Sequence, residues 1–300
     1  MDEPRSLARI LVATDFSARA AQTFHRVSML PLAQSAQIAL IHVLPSQMYS
    51  WKPHRIEPPA SMHLQKAATT LAEAVVARGH RGVTVSPLLC VGNPYRELVD
   101  KSQKVGAELI VLGRHGHRRF RDVFIGSTAE RVIRYAQMPV LMVGRKANRP
   151  YWRPLIAVDL EPGSAQVVSS ALRLLDTSCA TASLLHAYHV PFERLLTPDI
   201  SEDERTEYRK EILQEARSRM NALVQELGSC NVTLQRSLLR GEPRQTLLRE
   251  SVLLRADLLA VGVHERSQLS HAVLGSVAAQ VIHDAGCDVL MTPTRHNGEC

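Results

Sequence analysis

The sequence predicts an α/β protein built from two tandem domains, each a five-stranded parallel sheet flanked by helices. Three observations carry this. Apolar runs without polar alternation recur along the chain, the pattern of strands buried on both faces. Helical stretches separate them, which calls for right-handed crossovers and a parallel sheet. The whole order then occurs a second time. Ile10 to Asp15 returns as Pro154 to Asp159, and Leu40-Ile-His42 as Leu184-Leu-His186, both displaced by 144 positions (Asp15 to Asp159). Gly92-Asn-Pro94, Ile110-Val-Leu-Gly113 and Ile125-Gly-Ser127 return displaced by 149 (Gly113 to Gly262), so the second copy carries five extra residues between its second and third strands. A period of this length means a duplicated domain, not a solenoid.

Each element of the first copy follows from its residues. Arg9 to Thr14 is a β-rich run that closes on Asp15-Phe16-Ser17, and Ala18 to Leu32 reads as a helix. Gln37 to Leu44 is a second buried strand. Pro45 to Met62 holds four prolines and is expected to be a long loop, with a helix only from His63 to Arg78. Val83 to Val91 is the third strand and Tyr95 to Val105 a helix. Glu108 to Leu112 is the fourth strand, Thr128 to Ala136 a helix, and Pro139 to Val143 the fifth strand. In the second copy, Glu202 to Leu227 is strongly charged, with apolar residues at helical spacing, and reads as a surface helix with one apolar face. The divide falls between residues 1–146 and 147–300. The joining stretch Gly144 to Arg153 is short, polar and basic, and ten extended residues span at most about 33 Å, so the two domains must lie side by side.

Composition narrows the function. Three hundred residues accommodate two domains of ordinary size. Aromatic content of 4% argues against a protein that stacks nucleic-acid bases, so no nucleic-acid partner is expected. The net charge of +7 is spread along the chain and gives solubility with some attraction to anions. The polar start has no signal-peptide pattern, and no apolar run reaches membrane-span length, so no membrane partner is expected. Five scattered cysteines without a CxxC suggest a reducing, cytoplasmic compartment.

The chemistry concentrates after the fourth strand. Gly113, Gly116 and Gly126-Ser127 stand at Gly-x2-Gly-x9-Gly-Ser, between an apolar run and a helix start. Glycines let a backbone approach an anion and aim successive N–H groups at it. A helix N-terminus adds free donors and positive dipole charge. Ser127-x-x-Glu130 is also a capping-box pattern. The bland alternative is a turn followed by an ordinary helix cap. Arg114, His115, Arg118, Arg119 and Arg121 add positive charge, or else form a solvated basic loop. Asp15 alone would read as a cap or turn former. A dinucleotide fingerprint after the first strand and a Gly-Lys-Ser/Thr phosphate loop are both absent, which excludes those nucleotide-binding classes.

The four positions Gly113, Gly116, Gly126 and Ser127 resemble the nucleotide-binding motif of the universal stress protein family, in its ATP-binding branch. The resemblance covers nearly the whole chain, twice, and is similar to the tandem form of that family. It implies two Rossmann-like (HUP-type) domains that pair through their fifth strands as an internal pseudo-dimer, using Val140 to Val143 and Val289 to Met291. It also implies ATP or a related adenine nucleotide, with or without Mg2+, as ligand. Asp15 would hold the ribose or base, flanked by Ala13 and Thr14. Val43 would present backbone groups to adenine. Gly113, Arg114, His115, Gly116, Gly126, Ser127 and Thr128 would surround the phosphates. The output would be a partner-binding state in a stress response, with an unnamed protein partner and room for a further homodimer.

The second copy departs from the motif. Gly262-Val-His-Glu265 places Glu where the second glycine belongs, and the following stretch has one arginine in place of several. This half is expected to keep the fold and lose the phosphate site. His115-x-His117 and His186-x2-His189 lack a third metal ligand, so a metal site is not expected, and His42 and His186 read as core histidines. No nucleophilic triad or paired-carboxylate signal is present, so no enzyme is expected beyond weak ATP hydrolysis. A weak ATPase or nucleotidyl transferase, and an adaptor that works without nucleotide, are the competing readings.

Overall fold

A computed structural model describes residues 6–17, 20–47, 53–114, 127–144, 147–190, 201–264 and 275–294. The first half runs β1 (Leu7–Ala13), α1 (Ala20–Val27), β2 (Leu32–Pro45), α2 (Pro53–Ala77), β3 (Thr84–Gly92), α3 (Pro94–Lys104), β4 (Leu109–Gly113), α4 (Ser127–Tyr135) and β5 (Val140–Val143). The second runs β6 (Pro154–Ala157), α5 (Ser164–Leu172), β7 (Thr181–Tyr188), α6 (Glu202–Leu227), β8 (Thr233–Arg240), α7 (Pro243–Leu253), β9 (Leu258–His264), α8 (Ser276–Asp284) and β10 (Asp288–Thr294).

All ten strands form one sheet in the order β3-β2-β1-β4-β5-β10-β9-β6-β7-β8. Within each half every pairing is parallel, as the non-alternating runs require. The halves meet where β5 and β10 pair antiparallel, with Val140, Leu141 and Met142 opposite Met291, Leu290 and Val289. These six side chains are at most 1% exposed. The expected pairing of fifth strands is therefore the centre of the molecule, and it removes two apolar edges that would otherwise invite aggregation.

Helices cover both faces. On one, Phe24 and Val27 of α1, Leu64, Leu71 and Val75 of α2, Val168 of α5 and Leu223 of α6 join a single core that crosses from half to half. On the other, Leu98 of α3, Val132 of α4, Leu247 of α7 and Ile282 of α8 do the same. The continuous cores and the shared sheet make one body of the two repeats.

Two elements differ from expectation. The segment expected as a proline-rich loop is helical from Pro53, with Pro58 and Pro59 inside α2. Both prolines are exposed, so a carbonyl left without its helix donor can bond water, while Ala60, Leu64, Ala68, Leu71 and Val75 bury a continuous stripe that fixes the helix. The first helix is shorter than Ala18 to Leu32, because Leu32 already pairs with Leu7 at the start of β2. The connection between halves is also not a simple polar linker: Ala147 and Tyr151 are 5% and 1% exposed. By contrast α6 spans Glu202–Leu227 as read, with Ser201 and Glu204 forming a reciprocal cap.

Side chains lock the junction. Asp288 is buried and accepts from Arg26 Nε at 2.7 Å, Tyr151 Oη at 2.9 Å and the Gly144 N–H at 2.9 Å. Arg26 also lies 3.9 Å from the Tyr151 ring centroid and donates to the Arg149 carbonyl. Arg173 of the second half pairs with Glu108 of the first at 2.8 Å. Among the described residues no helix is long and apolar enough to cross a membrane.

Candidate functional site

At the carboxyl ends of β1 and β4 lies a cleft of about 340 Å³. This is where the strand order of the first half reverses, from β1 outward to β2 on one side and to β4 on the other. Its walls include Ala13 at the end of β1, Thr14, Asp15 and Ser17 after it, Ile41, His42 and Val43 of β2, and Leu112 and Gly113 of β4. Pro94 at the start of α3 and Ser127, Thr128 and Ala129 at the start of α4 complete it. Two helix N-termini thus open onto one cleft, and both favour negative charge there. A stack of Tyr95 on Tyr135, with centroids 5.7 Å apart, ties these two helices together.

The floor is shaped by the turn after β1. Phe16 holds a left-handed backbone with φ of 60°, a conformation costly for a bulky residue by about 1–2 kcal/mol. The Thr14 hydroxyl accepts from the Phe16 N–H at 3.2 Å, and the Asp15 carboxylate accepts from the Ser17 N–H at 3.0 Å. The turn sets the Phe16 ring 4.1 Å from that of His42, whose Nδ1 lies 2.8 Å from the Thr14 carbonyl oxygen. Strain of this kind collects beside binding clefts. The second half repeats the device: Leu160 has φ of 64°, and His186 Nδ1 is 2.9 Å from the Val158 oxygen.

Gly113 is closely packed against α1. A β-carbon there would sit 3.2 Å from Thr23 Oγ1. Thr23 is 1% exposed, and its hydroxyl makes no hydrogen bond among the described residues, although it lines the cleft. An orphaned buried hydroxyl costs free energy unless something bonds it, so this atom fits a polar ligand group. At the repeat-related position stands Val167, whose methyl lies 3.2 Å from a β-carbon on Gly262. The exchange of Thr for Val is legible in the repeat but carries meaning only once Gly113 is seen against it.

Of the residues expected at a nucleotide, Ala13, Thr14, Asp15, Val43, Gly113, Ser127 and Thr128 come together around this cleft. Arg114 does not line it. Its Nη1 donates to the Ala285 carbonyl at 2.6 Å and its Nη2 to that of His283 at 3.4 Å. These carbonyls end α8, where the helix dipole favours a cation, so the arginine bridges the halves. His115, Gly116 and Gly126 lie outside the described residues, as do Arg118, Arg119, Arg121 and Glu265. The helix after the motif begins at Ser127 itself, so Ser127 is its first residue and not its cap, and Glu130 pairs with Arg134 at 2.8 Å. Reasoning from sequence missed Thr23, Phe16 and Pro94, and read His42 as a core residue only. It is half-buried at the cleft wall. Among the described residues no group of three or more His, Cys, Asp or Glu is placed to hold a metal ion.

The corresponding region of the second half is tied up by its own side chains. Asp159 accepts from Ser164 Oγ at 2.9 Å and from the Glu161 N–H at 3.0 Å. The first half has Ala20 at the Ser164 position, with no hydroxyl to offer Asp15. Gly163, with φ of 99°, packs so closely that a β-carbon would lie 2.9 Å from Thr294 Cβ.

The doubled α/β fold, with a cleft at the switch point of its first half, defines a tandem Rossmann-like class of protein. The model of the universal stress protein family matches the chain twice, over residues 7–144 and 151–293, and the chain belongs to that family. It is 26% identical over 299 residues to a universal stress protein of Mycolicibacterium smegmatis, covering 95% of this chain and 97% of that one. It is 30% identical over 148 residues to one of Synechocystis, covering 45% of this chain and 96% of that one. The crystal structure of a universal stress protein from Archaeoglobus fulgidus shares the fold, with a TM-score of 0.68, 17% identity and coverage of 95% and 98% of the two chains.

Proposed function

We propose that the first half binds ATP or a related adenine nucleotide, with or without Mg2+, in the cleft between β1 and β4. The bound state, rather than turnover, is the output, read by a protein partner. The observation that carries this reading is the convergence on one cleft of Asp15, the backbone of Val43, Gly113 and the N-termini of α3 and α4. A carboxylate accepts from ribose hydroxyls, and helix N-termini suit phosphates. The orphaned Thr23 hydroxyl supplies one further polar contact. Gly116 and Gly126 belong to the same proposal through the spacing of the motif. The second half keeps its fold and pairing without a phosphate site, in keeping with Glu265 and with Asp159 held by Ser164.

The test is mass spectrometry of ligands released from protein purified without added nucleotide, followed by thermal unfolding with ATP. At 100 times its Kd the ligand stabilises the folded state by about 2.7 kcal/mol. A chain that carries no adenine nucleotide and whose unfolding ignores millimolar ATP would be a nucleotide-independent adaptor. Steady phosphate release that disappears in Asp15→Ala would make it an ATPase.

A further inference from the structure

A second cavity, of about 520 Å³, lies where the connection between the halves meets the second half, away from the cleft. Arg26, Arg149, Arg153 and Arg255 line it, with Asp257 as its one carboxylate among the described residues. Arg26 is neutralised by Asp288. Arg149, Arg153 and Arg255 are exposed and make no ion pair among the described residues. Asp257 makes no ion pair with them among the described residues, and its charge offsets theirs only in part. Its two oxygens accept from the backbone N–H groups of Trp152 at 2.8 Å and Arg153 at 3.0 Å.

The internal repeat shows which of these features the fold needs. Asp257 corresponds to Glu108, which likewise accepts from a backbone N–H at the start of the first strand of its half, that of Ala8 at 3.0 Å. Glu108 is also paired with Arg173 across the junction. Arg255 corresponds to Gly106. Both follow a helix C-terminus, both make the same turn, with N–H groups donating to Val252 and Gln103, and both have positive φ, 50° and 62°. Glycine is the residue suited to that backbone. The second half holds an arginine there against this preference, and its side chain faces a cavity already lined by arginines. Three exposed arginines beside one carboxylate leave an excess of positive charge, which disfavours the folded state and favours a bound anion.

We propose that this junction cavity binds a small anion carrying two or more phosphate groups, through Arg149, Arg153 and Arg255. Guanidinium groups suit phosphate oxygens because they donate in pairs. The site is independent of the nucleotide cleft. A free polyphosphate and the phosphate tail of a nucleotide present the same chemistry, so both are probes.

The experiment is calorimetric titration of the full chain at low ionic strength with inorganic tripolyphosphate and, separately, ATP. It uses the unaltered chain, Gly126→Asp to silence the cleft, and Arg149→Gln with Arg255→Gly. Arg255→Gly restores the residue of the sister half, so unfolding of that variant should be unchanged or improved. Tripolyphosphate should bind in both the unaltered chain and Gly126→Asp, and at least tenfold more weakly in the arginine variant. ATP binding to Gly126→Asp that the arginine pair controls would identify a nucleotide as the ligand; its absence there would leave free polyphosphate. The proposal is overturned if tripolyphosphate does not bind the unaltered chain, or if Gly126→Asp abolishes its binding. It is also overturned if Arg209→Gln with Arg217→Gln, on α6, weakens binding as much as the cavity variant does.

Discussion

Asp288 is the residue on which the junction turns. Its carboxylate is buried and satisfied by three donors, one from α1, one from the connection and one from the end of β5. Removing it leaves Arg26 charged, 4% exposed and without its counter-ion. Asp288→Ala should therefore cost about 3–5 kcal/mol in urea unfolding. A loss under 1 kcal/mol would mean that water replaces the carboxylate. Tyr151, in the same network, has its phenol held well above its usual range, first by burial and then by the Asp288 charge. Its neutral form is the folded form, so its contribution is complete below the ordinary phenol value near 10 and is lost as pH rises toward the folded-state value. Tyr151→Phe should be less stable at pH 7 and should lose less of its remaining stability on going to pH 11. In the cleft, Thr23→Val should leave folding intact and weaken ATP about fivefold, near 1 kcal/mol, if the orphaned hydroxyl bonds the ligand. Unchanged affinity would remove Thr23 from the site. Gly113 was readable from the spacing of the glycine motif, and Asp15 only through the family resemblance, since alone it reads as a cap or turn former. Thr23, Phe16 and His42 were not, because only the crossing of α1 and β2 over the strand ends brings them there. Arg114 looked like a phosphate ligand by sequence proximity, and the nearness of the α8 carbonyls takes it elsewhere.

At the scale of elements, the strands were legible from unbroken apolar runs, and α6 from its charge and cap. α2 was not. Four prolines in 18 residues, Pro45 to Met62, outweighed the helical pattern in the local reading, and the stripe from Ala60 to Val75 outweighs the prolines in the fold. Pro58 and Pro59 therefore hold a helix that would form better without them. A proline costs about 3 kcal/mol in a helix interior, while its removal frees the unfolded chain by only about 0.4–1 kcal/mol. Pro59→Ala should raise the urea midpoint. A lowered midpoint would show that the proline sets a bend on which packing of the α2 stripe depends.

The whole molecule follows from duplication. The constant displacement of 144, then 149, gave two copies, and pairing of β5 with β10 makes one sheet of them. What the repeat could not convey is the asymmetry of the seam, where Arg26, Tyr151 and Asp288 have no repeat-related partners of the same kind. The first half alone would expose Val140 to Val143 as an open apolar edge. Produced by itself, it should form a homodimer through that edge, seen by sedimentation, and a charged substitution at Leu141 should disperse it. A well-folded monomer would show that β5 needs no partner.

The asymmetry extends to the sites, and it bears most directly on the central claim. Calorimetric titration with ATP at sub-millimolar concentration, in a chain whose junction cavity is silenced by Arg149→Gln with Arg255→Gly, should give one nucleotide per chain, lost on adding Gly126→Asp and retained on adding Gly275→Asp. Two equivalent sites, or binding that survives Gly126→Asp and fails in Gly275→Asp, would contradict the assignment of the nucleotide to the first half.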